Sequence, residues 1–343
     1  MSPARFAKLV RRQLDGFLRE GSIAPATHAR LAELYPLARW DWLSLGRWFV
    51  VFGALTAVAG AGILAREVFE FTLQKLAVLL GVGVVATFAG GVRLGQRGYR
   101  WSGHALELVA GLCLIGLTFT LGILYSSGSG NWPALLLLDL CLLLPLAYLR
   151  VNPLQLTLAV VVFFTWFGGV TGYVSGWGMY WFSMNYPLRF LVVGLLIVLL
   201  ALAHRTAEEE GPLARHRGFF KPWLAAGLFF AEMALWLLAL FGNFGDFTTP
   251  YREGPLERLV FNLLWAGLNV GLLWAGQRYA LRQARGFGLT FLAIQGYTVY
   301  FEFVAGYLGG VFATLLAGVV TLWLVRRLEL PSRIRQAGKR RSG

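Results

Sequence analysis

Long apolar segments separated by short polar turns fill most of the chain after residue 44. The segment from Trp223 to Asn243 shows the pattern well, because about 20 mostly apolar residues span the roughly 30 Å hydrocarbon core of a bilayer as a helix. By the same criterion the predicted spans are residues 45–65, 76–95, 105–125, 133–149, 154–174, 188–204, 223–243, 259–277, 288–306 and 309–325. The pattern predicts an all-α protein, a polytopic transmembrane helical bundle of about ten spans.

The amino-terminal segment, residues 1–44, follows a different pattern, with apolar residues at helical steps among basic ones. Its apolar positions include Phe6, Leu9, Val10, Leu14, Phe17 and Leu18. Steps of three and four residues predict an amphipathic helix, and Pro25 can open a second short helix. We predict a cytoplasmic helical pair that contacts the lipid surface through Lys8, Arg11, Arg12 and Arg19. Docking of a soluble protein partner is the alternative for the same pair.

The composition agrees with a membrane protein and changes how the charge is interpreted. Hydrophobic residues make up 57% of the chain and charged residues 14%, whereas soluble domains are about 25% charged. The net charge of +14 would suggest a nucleic-acid partner in a soluble protein. Here the basic residues lie in short loops and tails, so we expect anionic lipid headgroups as partners and no nucleic acid.

The distribution of basic residues also predicts an orientation. If the amino terminus is cytoplasmic, the inner loops hold Arg93, Arg97, Arg100, Arg150, Arg205, Arg215, Arg217, Lys221, Arg278, Arg282 and Arg285, together with the basic tail 326–343. The outer side then holds only Arg66, Lys75, Arg189, Arg252 and Arg258. Because basic residues are retained on the cytoplasmic side, this asymmetry predicts a multi-pass membrane protein with both termini cytoplasmic and an even number of spans.

One inner loop, residues 205–222, is the predicted boundary within the bundle. It separates six spans in residues 45–204 from four spans in residues 223–325. The acidic run from Glu208 to Glu210 and the basic residues after it are typical of a solvated cytoplasmic connector.

The order of features from Ala105 to Trp166 is similar to that of a known family. A Gly-rich span ends in Leu124 and Tyr125 before a small polar turn; an acidic Leu-rich span then ends in Leu146, Ala147 and Tyr148, and a third apolar span follows. With Gly21 to Ile23 between the two amino-terminal helices, roughly residues 8–170 resemble the uncharacterised prokaryotic predicted-membrane-protein family called domain of unknown function 2157. The resemblance implies a membrane bundle in a prokaryotic inner membrane, preceded by a short amphipathic pair, and it implies no catalytic residues.

Four acidic residues lie within the predicted spans: Glu107, Asp139, Glu232 and Glu302. An ionisable group at the bilayer centre costs about 2.5 to 3.5 kcal/mol on insertion scales, so it should face other helices or a wet cavity. Glu107 is close to the start of its span and is predicted to be a solvated or helix-start residue. Asp139 and Glu232 are near mid-span, and Glu302 is in the outer part of the ninth span.

Amide side chains on the eighth and ninth spans are predicted companions for these acids. Asn262 and Asn269 are seven residues apart, as are Gln295 and Glu302, and this spacing places each pair on one helical face. We name Glu232, Asn262, Asn269, Gln295 and Glu302 the polar seam. Two interpretations stay open: hydrogen-bonded acids that hold helices together, or a proton-coupled or polar substrate pathway.

Other candidate chemistry is sparse. Cys113 and Cys141 lie inside apolar segments, the four histidines have no metal-ligand spacing, and no hydrolase, zinc-protease or P-loop motif occurs. Glycine pairs at the spacing that lets helices approach closely are Gly91 and Gly95, Gly172 and Gly176, Gly267 and Gly271, and Gly306 and Gly310. We therefore expect no enzyme activity, cofactor or metal.

The predicted function is a scaffold or accessory subunit of a membrane assembly, with a protein partner bound through the amino-terminal helices or the basic tail. The alternative is a transporter or channel-like protein with a polar pathway through Glu232, Asp139 and Glu302.

Overall fold

A computed structural model of the chain describes residues 3–35, 72–126, 130–176, 180–243 and 255–301, with isolated helical positions at 46, 49, 50, 52, 53, 56, 60, 315, 318 and 319. The predicted spans 45–65 and 309–325 are otherwise outside the described residues, as are Glu302, the pair Gly306 and Gly310, and the tail 326–343. The chain divides into two compact units, Met1–Val170 and Thr171–Gly343.

Helices make up both units. The first contains α1 (Pro3–Arg19), α2 (Pro25–Glu33), α3 (Leu73–Gln96), α4 (Arg100–Tyr125), α5 (Trp132–Arg150) and most of α6 (Pro153–Val174). The second contains α7 (Tyr186–Glu210), a 3₁₀ turn (Ala214–His216), α8 (Phe220–Phe241), α9 (Pro255–Arg278) and α10 (Arg282–Val299). Within the described ranges the only strand-like pairing is an isolated bridge between Trp181 and Met184.

The helices from α3 to α9 identify an integral, multi-pass membrane protein. In the described part of the chain, these seven helices are long enough and apolar enough to cross a bilayer. Their positions confirm the corresponding predicted spans to within a few residues. Helix α10 covers part of the predicted span 288–306 but is not among the seven, because Arg282, Gln283 and Arg285 lower the hydropathy of its first turns. The total of about ten spans stays a prediction.

In the first unit, α3 and α4 pack with their backbones in contact. A Cβ atom on Gly91 would lie 2.8 Å from the carbonyl oxygen of Gly103, and one on Gly103 would lie 3.1 Å from the nitrogen of Gly95. Helix α5 packs on α6 through apolar residues, among them the fully buried Leu143 and Ala159. Small residues thus bring α3 and α4 together, as expected for helices in a bilayer.

The amino-terminal helices α1 and α2 form a hairpin. Arg11 donates from Nη2 to the carbonyl oxygen of Ala32 at 2.6 Å and from Nε to that of Tyr35 at 2.9 Å. Nε and Nη2 of Arg11 are thus engaged with carbonyl oxygens at the end of α2, and its contact with lipid headgroups stays a prediction. Arg12 and Arg19 are exposed, and the side chain of Lys8 lies outside the described residues.

In the second unit, α7 and α8 cross at two glycines and α9 and α10 pack beside them. A Cβ atom on Gly194 would lie 2.9 Å from the carbonyl oxygen of Gly227, so the two backbones touch. Buried residues of all four helices form apolar clusters; those of one cluster are Leu191, Ala231, Ala234, Leu235, Leu238, Ala239, Trp265 and Phe291. This packing positions the middle of α8 against α9 and α10.

The predicted connector 205–222 lies inside the second unit, and the division of the chain between Val170 and Thr171 falls within α6. Glu208 is buried, and its two carboxylate oxygens accept hydrogen bonds from the main-chain nitrogens of Gly218 at 2.6 Å and Phe220 at 2.7 Å. The expectation of a purely solvated acidic run is wrong for Glu208, because its carboxylate caps the first turn of α8. Glu209 is exposed and pairs with Arg205.

Candidate functional site

The register of α9 against α10 brings part of the polar seam together. Gln295 Nε2 donates to the carbonyl oxygen of Asn262 at 2.8 Å, and a Cβ atom on Gly288 would lie 2.8 Å from the carbonyl oxygen of Asn269. These two contacts are seven residues apart on both antiparallel helices, so one face of α9 meets one face of α10 along two turns. Asn262, Asn269 and Gln295 are thus on the interface between these helices.

Glu232 enters the same interface from α8. Its side chain is fully buried, and Oε2 accepts a hydrogen bond of 2.7 Å from Nε1 of Trp265, which is also fully buried. Trp265 follows Asn262 by three residues and precedes Asn269 by four, which places the three on one face of α9. The carboxyl group of Glu232 therefore lies between the levels of the two asparagines.

Several buried polar atoms of the seam lack hydrogen-bond partners among the described residues. They are Glu232 Oε1, Asn262 Oδ1, Gln295 Oε1, and both Oδ1 and Nδ2 of Asn269. A buried polar group without a partner costs about 1 to 3 kcal/mol, and no water from a hydrocarbon solvent relieves it. The seam thus contains a concentration of unsatisfied polar atoms inside a helix bundle.

The predicted seam is therefore partly assembled by the structure. Glu232, Asn262, Asn269 and Gln295 lie on three mutually packed helices, whereas Glu302 is outside the described residues. Sequence reasoning missed Trp265, the hydrogen-bond donor to Glu232. The available signal was its spacing of three and four residues from the two asparagines.

Asp139 belongs to the first unit and has its own partner there. It is fully buried on α5, and its Oδ2 accepts a hydrogen bond of 3.0 Å from the hydroxyl of Thr118 on α4. Within the described residues, Oδ1 of Asp139 has no hydrogen-bond partner. The structure thus places Asp139 in a helix contact of the first unit.

The buried carboxylate of Glu107 links three helices of the first unit through hydrogen bonds. Its Oε1 accepts hydrogen bonds from Nε and Nη2 of Arg150 at 3.0 and 2.9 Å, and its Oε2 accepts one from Nδ2 of Asn152 at 2.9 Å. Asn152 also caps α6, because its Oδ1 accepts from the main-chain nitrogens of Leu154 and Gln155. The prediction of a solvated or helix-start Glu107 is wrong, since Arg150 at the end of α5 turns towards it.

A second polar cluster that sequence reasoning missed joins α7, α8 and α9 where α8 ends. Oδ1 of Asn243 accepts from the main-chain nitrogen of Asn185 at 2.9 Å, and Nδ2 of Asn185 donates to the carbonyl oxygen of Gly242 at 3.0 Å. Glu257 Oε1 accepts from the main-chain nitrogen of Asn243 at 3.0 Å. These hydrogen bonds satisfy helix ends, so the cluster is structural. Its one sequence signal was an asparagine before Tyr186 and Pro187, a typical helix start.

The described residues contain no group of three or more histidine, cysteine or acidic side chains that could hold a metal ion. Cys113 and Cys141 are free thiols. No protein-family model matches this chain, and neither a curated protein nor a solved structure is significantly similar to it.

Proposed function

We propose that this integral membrane protein moves a small polar species across the bilayer, and that Glu232 in the second unit is its binding group. The proposal rests on buried polar atoms of α8, α9 and α10 that have no hydrogen-bond partner among the described residues. If these side chains only held helices together, nearly all of their polar atoms would have partners. Unpaired polar atoms are costly to bury, and leucine at the same positions would pack without that cost. A pathway for a polar species gives each of these atoms a partner during transport.

The proposal includes the location predicted from the charges and the family resemblance. We place the chain in the prokaryotic inner membrane with both termini cytoplasmic and ten spans, as a relative of the domain of unknown function 2157 family. Arg97 between α3 and α4, and Arg278 and Arg282 at the junction of α9 and α10, support this orientation, because basic residues stay on the cytoplasmic side.

A cysteine at Asn269 tests whether water reaches the seam. In a background with Cys113→Ala and Cys141→Ala, we expect a membrane-impermeant thiol reagent to modify Asn269→Cys at least about tenfold faster than Leu238→Cys, because reagents react with hydrated thiolates. Leu238 is the matched control, since it is also fully buried but belongs to the apolar cluster. Equal modification rates in intact membranes would contradict the pathway.

The amino-terminal hairpin favours a second candidate, an accessory subunit that binds a partner. Leu9 and Phe17 on α1 are each 48% exposed, and Leu34 after α2 is 70% exposed. Exposed large apolar residues beside Arg12 and Arg19 form a surface that suits either a protein groove or a membrane with anionic headgroups.

Replacing Leu9 and Phe17 together with serine tests this candidate in the full chain. If the hairpin holds a protein subunit, we expect the double variant to lose that subunit at least about tenfold during purification in mild detergent, because apolar anchors dominate such interfaces. Glu33→Ser is the control, since Glu33 is exposed and polar. Retention of the same partners by all three proteins would exclude the hairpin as their binding site.

A further inference from the structure

We infer that the species bound in the seam is a monovalent cation, either a proton or an alkali-metal ion, held by Glu232 and the oxygens of the seam amides. The inference rests on the proposed function and names its substrate class. It follows from which hydrogen-bonding atoms of the seam already have partners and which do not.

The amide nitrogens of two seam residues are already engaged. Nδ2 of Asn262 donates to the carbonyl oxygens of Ala239 at 3.2 Å and Arg258 at 3.1 Å, and Nε2 of Gln295 donates to the carbonyl oxygen of Asn262. A carbonyl oxygen can pair only with the NH₂ group of an amide side chain and not with its oxygen, so these bonds fix the orientation of both amides. Oδ1 of Asn262 and Oε1 of Gln295 are the atoms left without partners among the described residues.

Glu232 follows the same rule. Its Oε2 accepts from Trp265, and its Oε1 has no partner in the described part of the chain. Oxygen atoms from three helices are thus left with acceptor capacity. In the part of the seam that the structure describes, Nδ2 of Asn269 is the one donor without a partner. Carboxylate and amide oxygens are ligands that hard cations prefer, whereas an anion needs several donors.

The charge of Glu232 supports the same conclusion. A carboxylate buried without a partner of opposite charge is very costly, so a positive species or a proton must neutralise it. Glu107 in the first unit shows how this chain compensates a buried carboxylate structurally, since Arg150 pairs with it at 2.9 Å. No described Lys, Arg or His forms such an ion pair with Glu232.

The ionisable groups on the helices around Glu232 lie toward the helix ends. They are Tyr186, Arg189, His204, Arg205, Glu208, Glu209 and Glu210 on α7, Lys221 on α8, Glu257, Arg258 and Arg278 on α9, and Arg282, Arg285 and Tyr297 on α10. Arg258, one turn from Asn262, has an interaction partner of its own. A cation from solution is therefore the compensating charge that the seam would accept.

Thermal unfolding of the purified full chain tests the inference. The starting solution contains detergent and choline chloride but no alkali-metal salt. With LiCl, NaCl or KCl at about 100 times its dissociation constant, we expect the Tm of the wild type to rise by about 5 °C and that of Glu232→Gln to stay constant. If the cation is a proton, lowering the pH from 8 to 5.5 should raise the wild-type Tm relative to Glu232→Gln, with no difference among the salts. Glu33→Gln is the matched control and should follow the wild type.

A second measurement does not require the Glu232 variant to fold. The thiol of the Asn269→Cys protein is treated with a cationic trimethylammonium thiosulfonate or with an anionic sulfonate thiosulfonate, and each rate is divided by the rate with a free thiol in solution. The cationic reagent should react at least about tenfold faster, because the seam attracts positive charge. Preference for the anionic reagent, or equal responses of wild type and Glu232→Gln to salts and pH, would overturn the inference. If salts or protons raise the Tm as expected but the thiol at residue 269 is not modified in intact membranes, the transport proposal is refuted and the inference of a cation site still holds.

Discussion

Replacing Gly227 with leucine is expected to lower the free energy of unfolding of the second unit by about 3 kcal/mol or more. A Cβ atom at this position would lie 2.9 Å from the carbonyl oxygen of Gly194 and 3.0 Å from the nitrogen of Val198. Both are backbone atoms of α7, so no rotamer change can relieve the overlap and the two helices must separate. Overpacking of a fitted core costs about 1 to 3 kcal/mol or more, and a backbone clash belongs at the upper end. Since total stabilities are about 5 to 15 kcal/mol, one such change removes a large share of them.

Gly267→Leu is the matched control for this prediction. Gly267 lies on α9 of the same unit, and apart from its own turn of helix no described atom lies within 4 Å of a Cβ placed there. Leucine is the better helix former by up to about 1 kcal/mol, so this variant should equal or exceed the wild type in stability. The readouts are the monodisperse fraction on size-exclusion chromatography and the Tm by circular dichroism. A Gly227→Leu protein that melts like Gly267→Leu would show that α7 and α8 do not approach as described.

The glycines show which packing information a sequence contains. Spacing of four residues correctly selected Gly91 and Gly95, which meet Gly103 of α4. The same rule gave no described contact at Gly267 and Gly271, whose packing stays a prediction. It also missed the contact between α7 and α8, because each helix contributes one glycine there. A pattern within one helix cannot reveal the register between two helices, and that register decides which glycines touch.

The same reason explains which parts of the candidate site were predictable. Hydropathy located α3 to α9 because lipid requires a minimum length and an apolar composition of every span. Helical periodicity placed Asn262 and Asn269 on one face. The partnership of Glu232 with Trp265 was not predictable, since it depends on the register of α8 against α9. The burial of Glu107 was missed because its place near a helix start favoured solvent, whereas Arg150 and Asn152 from the next helices enclose it.

Glu107→Ala is expected to lower the stability of the first unit by about 3 kcal/mol. The variant would lose three hydrogen bonds and leave Arg150 and Asn152 without their carboxylate. Breaking a fully buried pair costs about 3 to 5 kcal/mol, but 35% of the Arg150 side chain is exposed, so solvent can recover part of its charge and the loss belongs at the lower end. Asn152 would keep its cap on α6 and its bond to the carbonyl oxygen of His104. The measurement is thermal unfolding in detergent, and Glu33→Ala, at an exposed site, should melt like the wild type.

The sign of the stability change separates a structural acid from a functional one. Glu107→Gln keeps the shape of the side chain but removes the negative charge that pairs with Arg150. The variant should therefore have a lower Tm than the wild type. Glu232→Gln removes a charge that no described basic side chain compensates. In buffer free of alkali-metal ions at pH 8, it should therefore raise the Tm relative to the wild type. Binding residues commonly reduce the stability of the protein that retains them, and removing them commonly restores it. If Glu232→Gln instead lowered the Tm as much as Glu107→Gln, Glu232 would be another helix tie and the transport proposal would lose its binding group.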